Sequence, residues 1–310
     1  MVLPSAVLVR EVGPRDGLQS LPEYIPAPQK VALINALAET GLRYIEAVSF
    51  VHPKRVPQMR DAEEVMAGVQ KRPGVRYGAF VPNLTGLERA IKAGVDEAGV
   101  GLGASDTFNV KNVNRTAAER FAELQPFIAR AREVGVAVDV GTVAMAFVCP
   151  FEGAIPPARV LEQARRLASL GIGTISLADT VGAATPRQVY EAFTLLRREL
   201  PDVRLGAHLH DTRGTGLANA LAALEAGVTV FDSSIGGLGG CPFAPGASGN
   251  ISTEDLVYML EGMGIETGVD LDRLRGCGRL ASEILGRELP SHVLKAGRLQ
   301  QVQAMPAAAL

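Results

Sequence analysis

RLGAHLH (Arg204 to His210), GTGLANALAALEA (Gly214 to Ala226) and VTVFDSS (Val228 to Ser234) follow one another as strand, helix and strand. The first run has the two-residue period of a strand, with Leu205, Ala207 and Leu209 on one face and Gly206, His208 and His210 on the other. The second run is long and rich in Ala and Leu, which favours a helix. The third returns to β-branched residues. A strand, a crossover helix and another strand are the unit from which parallel sheets are built.

The same unit recurs along the whole chain. Strands are expected at Val7 to Val12, Tyr44 to Phe50, Val75 to Val81, Glu97 to Leu102, Ala137 to Ala144, Thr174 to Ala178, Arg204 to His210 and Val228 to Ser234. Helices are expected at Pro28 to Thr40, Asp61 to Lys71, Ala117 to Val134, Pro157 to Leu170, Pro186 to Leu200 and Gly214 to Ala226. Several of them open on Pro and close before Gly, which suits the first turn and the C-terminal cap respectively. Eight units fit a closed (β/α)8 TIM barrel better than an open sheet. Residues 1–310 are read as one catalytic domain, with the barrel over about 7–266 and additional C-terminal helices over about 267–310. No linker divides the chain.

Composition bounds the function classes. The 310 residues are 47% hydrophobic and 21% charged, enough for one large core. Lys and Arg number 31 against 33 Asp and Glu, a formal net charge of −2, so no global field draws in nucleic acid or an anionic membrane surface. An anionic substrate must be held by local groups. No apolar run approaches membrane-spanning length, and a soluble cytoplasmic protein is expected. Cys149, Cys241 and Cys277 are too few and too dispersed for a disulfide framework or a thiolate zinc site.

Barrel enzymes carry their chemistry at the C-terminal ends of the strands. His208 and His210 lie at the end of the seventh strand and, being two apart, point to the same side, so both can meet one ion. At the end of the first strand, Gly13-Pro14-Arg15-Asp16-Gly17 sets a fixed cation beside a carboxylate. A tight turn with a surface ion pair would look the same. With the two histidines, though, Asp16 supplies the oxygen of a mixed nitrogen and oxygen site, and Mg²⁺ or Mn²⁺ is the expected ion. After the eighth strand the glycine-rich stretch from Gly236 to Asn250 reads as a lid with Cys241 in its middle, followed by the helix-start pattern Ser252-Thr253-Glu254-Asp255. His52 and His292 are read as structural.

These motifs resemble, in order and position, those of the hydroxymethylglutaryl-CoA lyases within the metal-dependent lyase and Claisen-condensing TIM-barrel family. The resemblance spans about Val7 to Gly268. It is carried by Val12 to Gln19, Glu46 to Val51, Val56 to Met59, Pro82 to Leu84, His208 to Thr212 and the Cys241 loop through Asn250 to Asp255. The Cys241 loop is the specific element, whereas the His-x-His and Arg-Asp pairs are shared with condensing synthases.

The resemblance implies that Asp16, His208, His210 and Asn250 coordinate the cation. It implies that Arg15 stabilises an enolate oxygen, and that Cys241 on the lid, with His208 as a possible partner, transfers protons. Glu46 and Asp179 stand as supporting catalytic residues, although a strand-end ion pair and a turn would explain them equally well. Arg15, Gln19, Asn83, Lys111 and Asn112 are assigned to substrate, the last two to the coenzyme A portion or, alternatively, to a solvated loop. Glu254 is expected to be a helix-start residue with a secondary role.

The implied reaction is a retro-Claisen cleavage of 3-hydroxy-3-methylglutaryl-CoA, or a close analogue, to acetoacetate and acetyl-CoA, and the expected assembly is a homodimer. Ser20-Leu21-Pro22, His52, Arg55, Arg213 and Thr215 depart from the family pattern near the presumed mouth. They leave open citramalyl-CoA or a longer 3-hydroxy-3-alkylglutaryl-CoA as substrate. An acetyl-CoA/2-oxo acid condensation synthase and a non-catalytic metal- or acyl-CoA-binding barrel are the other readings. A biotin-dependent carboxyltransferase would need a modified lysine inside the barrel, and no strand clearly presents one.

Overall fold

The computed structural model describes residues 3–240 and 249–298. Among these residues ten strands run in chain order as β1 (Leu8–Glu11), β2 (Tyr44–Ser49), β3 (Arg76–Phe80), β4 (Glu97–Gly103), β5 (Val140–Ala144), β6 (Val148–Cys149), β7 (Gly153–Ala154), β8 (Thr174–Asp179), β9 (Arg204–Leu209) and β10 (Val230–Ser233). Eight of them close into a parallel barrel in the order β1-β10-β9-β8-β5-β4-β3-β2, while β6 and β7 form a separate antiparallel hairpin. The eight strands anticipated from periodicity are these eight, with ends shifted by a few residues. The largest shift is in the fifth, where Ala137 contributes only an isolated bridge to Glu97 and the ladder begins at Val140.

The helices are α1 (Ala27–Ala38), α2 (Ala62–Gly68), α3 (Leu84–Lys92), α4 (Asp106–Val113), α5 (Ala117–Glu133), α6 (Pro157–Ser169), α7 (Pro186–Glu199), α8 (Gly216–Glu225), α9 (Thr253–Gly262), α10 (Leu271–Leu285) and α11 (His292–Ala296). Helices α10 and α11 follow the last barrel unit, as expected for an appended segment. Helices α3 and α4 had no counterpart in the sequence reading. They are short, and α4 is built largely from Asn, Thr and Val, which favour helices weakly. Local capping sustains them: Asn83 accepts from the Gly86 N–H and Ser105 from the Phe108 N–H. Glu152, beside the β6–β7 hairpin, braces α4 by accepting from Ser105 Oγ and the Thr107 N–H.

The barrel interior is layered by register. Arg10 pairs in register with Asp232, and Asp232 with His208, so three ionisable side chains occupy neighbouring positions on β1, β10 and β9. Outside the strands, Ile34, Leu37, Val65, Leu87, Leu167, Phe193 and Leu224 are fully buried in the helix-to-barrel layer, which the apolar helix faces supply. Gly94, Gly171 and Gly227 return the chain from α3, α6 and α8 to the next strands with φ of 73°, 77° and 94°. This is the left-handed cap for which glycine is suited.

Candidate active site

The C-terminal mouth of the barrel gathers the proposed ligands. After β1 the chain makes one π-helical turn, Gly13–Gly17, and this turn carries Arg15 and Asp16 inward. It fits only because Gly13 and Gly17 lack side chains: a Cβ on Gly13 would lie 2.6 Å from Glu11 Oε1, and one on Gly17 2.8 Å from Leu238. From β9, His208 Nε2 lies 3.1 Å from His210 Nε2 and 3.9 Å from Asp16 Oδ2. One ligand atom from each of Asp16, His208 and His210 falls within 4.8 Å of the others. Just beyond the loop, Asn250 bridges back to His210 and donates from Nδ2 to Asp16 Oδ2 at 2.8 Å and to the Leu238 carbonyl at 3.2 Å.

This donor set fits a divalent cation. Adjacent ligand atoms of an octahedral ion with bonds of 2.0–2.1 Å are about 3 Å apart, the spacing of the two Nε2 atoms. Asn250 Oδ1 is buried and has no hydrogen-bond partner among the described residues, which leaves a carbonyl oxygen for an ion. The electrostatics agree. Burial alone would raise the Asp16 carboxyl, but Arg15 and the two imidazoles hold it down at about 2. Burial, and then the neighbouring His208, push His210 down to about 4, which keeps its imidazole neutral, as ligation requires.

Arg15 is fixed between two carboxylates. Its Nη1 donates to Asp16 Oδ1 at 2.6 Å, and its Nε donates to Glu46 Oε2 at 2.6 Å. Glu46 is therefore the residue that aims Arg15, and burial raises its carboxyl despite the pull of Arg15. The guanidinium also lies 5.1 Å from the centre of the Phe80 ring, which walls one side.

The remaining sequence candidates fall in several places. Gln19 follows the same turn in the chain and has a buried Oε1 with no partner among the described residues. Asp179 ends β8 with its two oxygens occupied by the N–H groups of Ala183 and Ala184, the geometry of a turn-closing residue. Asn83 is exposed and spends its side-chain oxygen on capping α3. Lys111 and Asn112 are exposed on helix α4, which replaces the solvated loop, and Lys111 Nζ lies 4.9 Å from the centre of the Phe151 ring. Cys241 lies outside the described residues. His52 is exposed and accepts from the Lys54 N–H, while His292 is exposed beside Asp255. Neither belongs to the cluster of Asp16, His208 and His210.

Two carboxylates around the mouth, Glu11 and Asp232, escaped the sequence reading, and a third, Glu254, was expected only as a helix-start residue. Glu11 is buried and accepts from the Gly13 N–H, the Ile235 N–H and Thr253 Oγ1, so one side chain joins the π-helical turn, the start of the glycine loop and the start of α9. Glu254 is fully buried and accepts from the Gly236 N–H and Ser252 Oγ, a larger part than that of an ordinary helix-start residue. Asp232 Oδ2 lies 3.2 Å from His208 Nδ1. The available signal was positional: Asp232 stands two residues before Ser234, on a strand whose neighbour carries His208 at the same height.

The departures from the family pattern also have definite places. Arg213 donates to the carbonyls of Val181 and Gly182, and Thr215 to that of Ala184. These bonds secure the loop after β8. His52 and Arg55 are exposed, and Ser20 donates back to the Gly17 carbonyl.

A closed parallel barrel with a mixed nitrogen and oxygen cluster and a buried arginine at its strand ends defines an enzyme of the (β/α)8 class with a candidate divalent-cation site. The HMGL-like family model matches residues 6–280, and the chain belongs to that family. The mitochondrial hydroxymethylglutaryl-CoA lyase of Rattus norvegicus is 47% identical over 294 residues, covering 95% of this chain and 90% of the relative. The crystal structure of the Bacillus subtilis HMG-CoA lyase is similar with a TM-score of 0.93 at 45% identity, over 95% of this chain and 99% of that one. An HMG-CoA lyase from A. baumannii, solved in complex with coenzyme A and 3-methylmalate, gives a TM-score of 0.92 at 44% identity, over 99% of this chain and 100% of that one.

Proposed function

We propose that the chain is a divalent-metal-dependent lyase that cleaves 3-hydroxy-3-methylglutaryl-CoA to acetoacetate and acetyl-CoA. The observation that carries this reading is the convergence of Asp16, His208 and His210 at the barrel mouth with Arg15 bonded to the same Asp16. Relatives bearing the lyase name match over nearly the whole chain, which supports it. The coenzyme A complex of the A. baumannii lyase supports a thioester substrate.

The chemistry needs the tertiary hydroxyl deprotonated, the carbon–carbon bond broken and the departing thioester enolate stabilised and then protonated. Asp16, His208, His210 and Asn250 would hold a divalent ion, which would supply the Lewis acidity that makes the tertiary hydroxyl easier to deprotonate. Arg15 stabilises the enolate oxygen as charge develops there, so its effect falls on the transition state. Glu46 holds the guanidinium in place. Cys241 donates the proton to the enolate carbon, a task for which a thiol of ordinary pKa near 8.5 is protonated at neutral pH. Gln19, with its unpartnered amide oxygen, contacts the acyl portion, and Lys111 with Asn112 contacts the coenzyme A portion. Mg²⁺ or Mn²⁺ suits the donor set.

The test is acetyl-CoA release from 3-hydroxy-3-methylglutaryl-CoA with Mg²⁺ and with chelator, beside citramalyl-CoA and longer 3-alkyl analogues. Metal-dependent release, fastest with the methylglutaryl substrate, is the expected result. Faster release from a longer analogue would move the assignment to that substrate, and no release from any of them would leave a binding protein.

A further inference from the structure

His208 and His210 are two residues apart and share the candidate cation site, yet they are held differently. His210 is 3% exposed, and its Nδ1 has no hydrogen-bond partner among the described residues, so its ring is placed by packing. His208 Nδ1, in contrast, faces Asp232 Oδ2 at 3.2 Å. The two are register partners on β9 and β10, and Arg10, the register partner of Asp232 on β1, sets its Nε 3.7 Å from the other oxygen, Oδ1. Arg10 is itself immobilised, with Nη2 bonded to Glu97 Oε1 at 2.9 Å and its guanidinium 3.7 Å from the centre of the Tyr44 ring. A buried row of charges of this kind contributes little to stability compared with apolar residues of the same shape. Its effect is directional: a neutral imidazole carries one proton, and whatever faces Nδ1 decides whether Nε2 is a lone pair or an N–H.

We propose that Asp232 is a positioning residue for the cation site. It accepts the Nδ1 proton of His208 and so presents a bare Nε2 to the ion, while Arg10 fixes which way the carboxylate faces. The proposal rests on the reading of Asp16, His208 and His210 as ligands. It assigns to this chain a supporting residue that the ligand motif does not contain. Ligating imidazoles are commonly oriented in this way by a carboxylate on the far nitrogen, and loss of such a partner lowers metal affinity about 10- to 100-fold.

The isosteric variant separates tautomer control from charge. In Asp232→Asn the amide oxygen is drawn to Arg10, the stronger donor, and the NH₂ then faces His208 Nδ1. That nitrogen must become an acceptor, which leaves the proton on Nε2, where it blocks ligation. Asp232→Ala removes the carboxylate but imposes no tautomer. The experiment is Mn²⁺ affinity of the metal-free protein by electron paramagnetic resonance, with the protonation site of His208 read from imidazole ¹⁵N shifts above neutral pH. The chain has four histidines, so the spectrum is assignable by single substitutions.

The expected result is that both variants bind Mn²⁺ about 10- to 100-fold more weakly, Asn worse than Ala, with His208 carrying its proton on Nε2 in the Asn variant. Unchanged affinity in either variant, or an Asn variant that keeps the Nδ1–H form, would overturn the proposal. His208→Ala is the control for the site itself. If it too binds Mn²⁺ normally, the ligand assignment fails; if it abolishes binding while both Asp232 variants bind normally, the positioning role alone fails.

Discussion

Asn250 Nδ2 donates to Asp16 Oδ2 across 2.8 Å, joining two residues 234 positions apart in the sequence. The bond exists only because β1 and β10 close the barrel and Asn250, beyond β10, bridges back to His210. It holds one oxygen of Asp16 while Arg15 holds the other. Asn250→Ala is therefore expected to loosen Asp16 as well as to remove a ligand oxygen. Mn²⁺ affinity should fall at least about tenfold, with little change in melting temperature. Equal affinity in the variant would remove Asn250 from the ligand set.

Arg15→Gln should separate catalysis from metal binding. Glutamine cannot place a charge at the enolate oxygen, and loss of one such donor lowers kcat by roughly 10²- to 10³-fold. Without Arg15, His208, His210 and the hydrogen bond from Asn250 still lower the Asp16 carboxyl against its burial, which keeps the ligand oxygen ionised. Bound metal, measured by elemental analysis, should stay near one equivalent while turnover collapses. A variant with normal turnover would dismiss the enolate role.

Local patterns made the barrel and the metal cluster readable. Strand alternation put His208 and His210 on one face, and the chain order of eight strand-helix units placed Asp16 and the histidines at the same end. What escaped depended on register between strands. The pairing of Asp232 with His208 follows from the alignment of the consecutive strands β9 and β10, which neither strand fixes alone. Nothing near Glu11 points to Ile235 and Thr253, and that relation exists only after β1 and β10 close the barrel. The helix α4 was hidden for the opposite reason, since its own residues disfavour a helix and Ser105 and Glu152 supply what the local sequence lacks. The proposed coenzyme A contacts at Lys111 and Asn112 stand on the resemblance alone.

Gly249→Ala should affect the site through the loop stem. Gly249 has φ of 96°, and a Cβ there would lie 2.6 Å from the backbone of Gly239, so the two arms of the loop cross in contact. Alanine brings both backbone strain and a steric clash, and the adjacent Asn250 would shift with the strand. Mn²⁺ affinity and kcat should fall together, whereas Gly262→Ala, where a Cβ has open space, should leave both unchanged. Normal metal binding in Gly249→Ala would show that the stem does not position Asn250.

The two buried glutamates under the loop predict how stability depends on pH. Burial pushes both Glu11 and Glu254 up to about 7, well above the ordinary carboxyl value. Between about pH 4.5 and 7 the folded protein therefore binds protons at these sites that the unfolded chain has released. Stability conferred by this protonation is full below the unfolded value and is lost as pH rises through 7, at up to about 1.4 kcal/mol per pH unit for each group. Protonated Glu11 keeps its bonds, accepting from Gly13 and Ile235 on one oxygen and donating from the other to Thr253 Oγ1. Glutamine reproduces that arrangement without a titration. His208, Glu46 and Asp179 are also shifted upward and tilt the curve in the same direction, while His210, held down at about 4, tilts it the other way below about 6.5, so the informative quantity is the difference between proteins. Urea midpoints between pH 5 and 7.5 should fall less steeply in Glu11→Gln than in the parent, with the variant gaining relative stability as pH rises. Parallel curves would mean that Glu11 is ionised throughout and that its three donors, rather than its burial, set its charge.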